Sequence, residues 1–153
     1  MHTDFSSATL TQIDFGNCFE TIEIPEAYFP VLGYLNNHLT RTPIKSSLYY
    51  GYKNNYRTLI FYDKQLDYKA KGETIPKYTF GKNYLRYELK LRRLNSLKKK
   101  MNQENISVAD LTNKDNFNRI KNDWYELYNN ITKQPKELIN MTNENLGLKE
   151  LKK

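Results

Sequence analysis

Apolar and polar residues alternate most strictly at Tyr84-Leu85-Arg86-Tyr87-Glu88-Leu89-Lys90-Leu91-Arg92-Arg93. On a strand, Leu85, Tyr87, Leu89 and Leu91 share one face, and Arg86, Glu88, Lys90 and Arg92 share the other. A long strand is therefore predicted over residues 83–93. Two further strand segments, 46–53 and 57–64, flank Asn54-Asn55. Because asparagine tolerates positive φ, the three pieces together predict a hairpin. Residues 8–15 predict another strand, with Leu10, Gln12 and Asp14 on one face and Thr11, Ile13 and Phe15 on the other. Gly16-Asn17 is expected to end it.

Helical spacing marks two other stretches. Pro25 suits the first turn of a helix, where its missing N–H is not needed, and Phe29, Leu32, Leu35 and Leu39 follow at helical intervals. A helix over 25–39 is predicted, with Pro30 either delaying its start or bending its first turn. Phe117, Ile120, Trp124, Leu127 and Ile131 form one apolar stripe, which predicts a helix over 114–132 that Pro135 limits. Residues 40–45 read as a loop, and 69–81, with Gly72 and Pro76, as a polar loop. The lysine-rich stretch 96–105 reads as an exposed helix or a linker, and 135–151 as a short polar helix.

The order strand, helix, hairpin, strand, helix predicts an α+β fold: a mainly antiparallel sheet with packed helices and a helical C-terminal part. Three regions follow. Residues 1–95 form the sheet domain, 96–134 a helical continuation packed on it, and 135–153 a polar helical or frayed tail.

With 153 residues the chain is long enough for a real core, and its thirteen tyrosines and seven phenylalanines argue for ordered packing. No apolar run has the length of a membrane span, and Met1-His2-Thr3-Asp4 does not open a signal peptide, so a soluble, cytoplasmic protein with no membrane partner is expected. A single cysteine, Cys18, excludes an internal disulfide and a cysteine-rich zinc site. No glycine-rich phosphate loop is present, so nucleotide hydrolysis has no support. The 24 Lys and Arg against 17 Asp and Glu leave a net charge of +7, which suits a polyanionic partner. Tyrosines among such cations also suit base stacking. The face Arg86, Glu88, Lys90, Arg92 fits the same picture, with three cations around one carboxylate matching a phosphodiester beside a divalent ion. From these ten residues alone, a solvated strand carrying an ion-pair ladder is the favoured reading of that face.

Four pieces stand in order along the chain: Ile13-Asp14-Phe15, Tyr49-Tyr50-Gly51, Ile60-Phe61-Tyr62-Asp63-Lys64 and Leu85-Arg86-Tyr87-Glu88-Leu89. Their order and spacing resemble the rolling-circle replication initiation proteins of plasmids and filamentous phages. The match covers residues 10–93, with a weaker echo in Trp124-Tyr125-Glu126-Leu127-Tyr128. The resemblance implies an initiator that binds single-stranded or origin DNA and nicks one strand by attack of a tyrosine hydroxyl, with host replication proteins as further partners. It implies Asp14 and Glu88 as carboxylates near a Mg²⁺ or Mn²⁺ ion, and Lys64 and Arg86 close to the scissile phosphate. Tyr125 and Tyr128 are the candidate nucleophiles, set on a helix after the last core strand. Lys90, Arg92, Arg93, Lys98, Lys99 and Lys100 join Arg86 as candidate DNA contacts.

The chain departs from the wider pattern in lacking a paired-histidine metal motif, since His2 and His38 are its only histidines. A carboxylate-type site is what remains. Family members are often longer, so a truncated, non-catalytic DNA-binding protein on the same scaffold is the alternative. Asp14 serves equally as a turn cap, and Asp63 with Lys64 as an edge-strand charge pair.

Overall fold

The strictly alternating segment is strand β6 (Asn83–Arg92) in a computed structural model, which describes residues 7–35, 39–53 and 56–133. β6 is paired along both edges, with β1 (Gln12–Thr21) on one side and β5 (Arg57–Asp63) on the other. Strands β4 (Ser47–Tyr50) and β3 (Arg41–Ile44) complete a five-stranded antiparallel sheet in the order β1-β6-β5-β4-β3. The apolar set of β6 faces the core, where Tyr87, Leu89 and Leu91 are buried together with Leu59 and Phe61 of β5 and Leu48 and Tyr50 of β4.

Helices α2 (Leu94–Met101) and α3 (Lys114–Asn129) close that face. The stripe predicted on α3 is buried at Ile120, Trp124 and Leu127. Asn113 caps the helix by accepting from the backbone N–H groups of Asp115 and Asn116. A short helix, α1 (Lys64–Lys71), lies across the opposite, polar face. The architecture is α+β, as the element order implied, and β4 and β5 pair as the expected hairpin, with Ser47 opposite Tyr62 and Tyr50 opposite Leu59.

Four expectations are corrected. Residues 25–39 are not one helix: Pro25–Val31 make a 3-10 turn, and Leu32–Leu35 form strand β2, paired with β7 (Ile131–Lys133). Pro30 has no N–H for helical bonding, and the carbonyls of this segment are taken by side chains instead. The Tyr50 hydroxyl donates to the Gly33 carbonyl at 2.7 Å, and Arg41 donates to the Leu32 and Phe29 carbonyls at 2.8 and 2.9 Å. A register shift between Leu32 and Leu35 buries both leucines, so a strand mimics helical spacing here.

Residues 41–44, expected as loop, form edge strand β3. Residues 64–71, with 69–71 expected as loop, form α1. Its boundaries are set by Asp63, whose Oδ1 accepts from the Gln65 and Leu66 backbone N–H groups, and by Gly72 in the left-handed region at φ 68°. Finally, β1 does not stop at Gly16-Asn17 but runs on to Thr21. Upstream, Thr9 only bridges to Ser107. The lysine-rich segment is a helix over Leu94–Met101 that buries Leu97 and Met101. The helix expected at 135–151 lies outside the described residues.

Candidate functional site

Strand register assembles the polar face. Across β1 and β6, Asp14 stands opposite Lys90, Gly16 opposite Glu88, and Cys18 opposite Arg86. Across β5 and β6, Tyr62 stands opposite Arg86. At the centre Glu88 is only 5% exposed. Its Oε2 accepts from Arg86 Nε at 2.8 Å and from the Tyr62 hydroxyl at 3.2 Å, and its Oε1 meets Lys90 Nζ at 2.8 Å. The same ammonium reaches Asp14 Oδ2 at 2.5 Å, while Gln12 donates to Asp14 Oδ1 at 2.8 Å. Arg86 also contacts the Cys18 sulfur at 3.6 Å.

Burial alone would raise the pKa of Glu88, but hydrogen bonds from Lys90 and Arg86 outweigh it and hold the carboxyl below its ordinary range. Burial and the adjacent Glu88 charge push the Tyr62 phenol well above its ordinary value.

Gly16 makes this packing possible. A Cβ at that position would lie 2.6 Å from the Tyr87 carbonyl oxygen and 3.0 Å from the Glu88 Cα. Both obstacles are backbone, so β1 would have to move off β6. Gly16→Ala is expected to destabilise the fold by about 1–3 kcal/mol, as other overpacked sites do. The denaturant midpoint of unfolding measures it.

Helix α1 brings a second charged group to the same face. Lys64 pairs with Asp67 at 2.6 Å, Lys71 pairs with the same carboxylate at 3.0 Å, and Lys64 Nζ lies 4.4 Å above the Tyr68 ring. Between α1 and the sheet lies a cavity of about 280 Å³, lined by Tyr49, Tyr62, Asp67, Glu88 and Lys90 among others.

Asp14 and Glu88 do converge, as expected of metal-site carboxylates, but a lysine ammonium stands between them. Every oxygen of the pair already accepts from Lys90, Arg86, Tyr62 or Gln12. Among the described residues no cluster of three or more His, Cys, Asp or Glu side chains could hold an ion. The donor set in this arrangement therefore does not fit a resident Mg²⁺ or Mn²⁺, and any divalent ion there would have to displace Lys90.

The remaining candidates divide between two faces. Lys64, Arg86, Lys90 and Arg92 belong to the polar side. Arg93, at φ 69°, turns the chain into α2, and its guanidinium lies 5.4 Å from the Tyr56 ring centroid. Lys98 pairs with Glu104 at 3.2 Å, Lys99 is part of the same helix, and Lys100 is held at 2.5 Å by the buried Asp123 of α3, all within the helical layer. Tyr125 and Tyr128 also lie in that layer, behind the sheet from Glu88. Tyr128 packs near the Tyr87 and Phe61 rings, and Tyr125 is 60% exposed. The structure does not bring these two tyrosines together with the Glu88 cluster.

Sequence reading missed the role of Asp67. Its i,i+3 and i,i+4 spacing to Lys64 and Lys71 was the available signal, hidden by the lack of an apolar stripe on α1.

A family model that describes the N-terminal part of a phage replication-associated protein matches residues 2–119. Comparison with curated proteins and with solved structures gives no match. Among the described residues no helix is long and apolar enough to cross a membrane.

Proposed function

The chain belongs to this family of phage replication-associated proteins, and from that premise we propose that it is an initiator that binds single-stranded origin DNA across the polar face of its sheet and nicks one strand. One observation carries the reading: Arg86, Lys90 and Arg92 project on one face from β6, an interior strand, flanked by Lys64 and by Tyr62 and Tyr49. That combination of fixed cations and phenols suits a DNA backbone with unstacked bases.

In the nicking step a tyrosine Oη attacks the phosphorus, the bond to the 3′ oxygen breaks, and the phenolic proton ends on that oxygen. The products are a 5′-phosphotyrosine and a free 3′-hydroxyl. Arg86 and Lys90 would meet charge on the phosphoryl oxygens, with Glu88 fixing their positions. A strand on this face meets Tyr49, Tyr52 and Tyr62 directly, whereas Tyr125 and Tyr128 require it to pass around the sheet edge. The ammonium between Asp14 and Glu88 favours a second reading, a DNA-binding protein without cleavage.

The test incubates the protein with labelled single-stranded origin DNA, with Mg²⁺ or Mn²⁺ and with chelator in parallel, and resolves it on native and denaturing gels. A denaturation-resistant adduct that disappears in Glu88→Gln supports the initiator, and peptide mapping then identifies the tyrosine. A native shift without an adduct favours the binder.

A further inference from the structure

Most cations on the polar face are already neutralised. Lys90 lies between Asp14 and Glu88, Arg86 is held by Glu88, Lys82 by Glu20, and Lys64 and Lys71 share Asp67. Lys53 and Arg92 differ, because neither has a carboxylate partner among the described residues. Both line one recess of about 420 Å³, together with Tyr49, Tyr52, Thr58 and Ile60. That volume is in the range of small-molecule sites.

Its aromatic wall is a built feature. The Tyr49 and Tyr52 rings meet edge to face with centroids 5.0 Å apart, leaving Tyr52 45% exposed. The turn that carries Tyr52 is fixed at Gly51, which adopts φ 73°, donates its N–H to the Thr40 carbonyl at 2.9 Å, and accepts from the Thr58 hydroxyl at 3.2 Å. An open phenol beside two cations without carboxylate partners is the chemistry of a single unstacked nucleotide, with the base on the ring and the phosphate on the charges. A duplex keeps its bases stacked inward and cannot offer them to Tyr52.

Resting on the DNA reading above, we propose that this recess is a nucleotide subsite that takes one base of single-stranded DNA on Tyr52, with Arg92 and Lys53 receiving its flanking phosphates. It lies beside the Glu88 cluster through Lys90, which lines both recesses. A nucleotide held there would set the register of the strand across the paired charges.

The experiment measures binding of the full chain to fluorescent oligothymidine and to an abasic strand of equal length. Circular dichroism of each variant confirms its fold. The wild type is expected to prefer oligothymidine. Tyr52→Ala is expected to lose about tenfold in affinity for it and bind the abasic strand as before, and Tyr52→Phe to keep the preference. Arg92→Ala is expected to weaken both strands alike and flatten the salt dependence by about 0.7 in slope. A base preference that survives in folded Tyr52→Ala, or its absence in the wild type, overturns the subsite and leaves the DNA reading standing. A wild type that binds neither strand overturns both.

Discussion

Glu88→Ala is expected to lower the free energy of unfolding by about 3 kcal/mol, near the low end of what removing one partner of a buried ion pair costs. The size follows from what is left behind. Arg86 and Lys90 keep 22% and 20% side-chain exposure, so water relieves them only in part, and the Tyr62 hydroxyl loses its acceptor. The effect depends on pH in a defined direction. Glu88 has its carboxyl held below the ordinary value of 4.5 in the folded state, so its contribution is fully present above that value. It fades as pH falls through the lowered folded value, where the carboxylate takes up a proton. Unfolding curves of wild type and variant should therefore lie furthest apart near neutrality and approach each other in acid. A separation that stays constant across the acid limb would show that Glu88 acts through packing and not through charge. In DNA binding the sign is reversed. Removing the carboxylate frees Arg86 and leaves Lys90 with Asp14 alone, so the folded fraction of Glu88→Gln should bind single strands with a salt slope steeper by about 0.7 per phosphate gained.

That prediction depends on register, which shows how far sequence reading reaches. Alternation at residues 84–92 was legible because one face of β6 is wholly apolar, and a one-residue slip would have put Leu89 and Leu91 in water. The convergence of Asp14 with Glu88 followed from the same parity, since even-numbered residues of β1 and β6 share a face. Lys90 as the group between them was not legible, because only the pairing of Asp14 with Lys90 across the two strands places it there. Gly16-Asn17 read as a strand end because glycine usually breaks a strand, whereas here close approach of two backbones requires it. Residues 25–39 misled for another reason: a bulged strand and a helix can both bury Leu32 and Leu35. Which tyrosine would serve the proposed nicking step could not be read at all. Thirteen tyrosines carry no local mark, and the expectation for Tyr125 and Tyr128 rested on helix position, which does not reveal the face of the sheet the helix covers.

The helical layer carries the other large effect, and Trp124→Ala is expected to cost about 3–5 kcal/mol. The indole joins the two halves of the core. It stacks on Tyr87 with centroids 4.7 Å apart, meets Phe15 edge-on at 5.8 Å, and lies parallel to Phe19 at 6.3 Å. The Trp124 carbonyl accepts the Tyr87 hydroxyl at 2.8 Å, so the helix backbone is fixed to the sheet beside the ring that would be lost. At roughly 2–4 °C per kcal/mol for a chain of this size, the melting temperature should fall by about 6–20 °C. Trp124→Phe separates the causes, because the indole Nε1–H is buried without an acceptor among the described residues. Phenylalanine gives up ring area but also removes that unpaired donor, whose burial carries a penalty of about 1–3 kcal/mol. Its loss should therefore be well under half that of alanine. Equal losses for the two variants would mean that the indole N–H is satisfied in solution. Because α3 covers the face opposite Glu88, both variants should bind DNA with unchanged affinity at temperatures where they remain folded. A specific loss of DNA binding in folded Trp124→Phe would move the binding surface to the helical side, and with it Tyr125 and Tyr128.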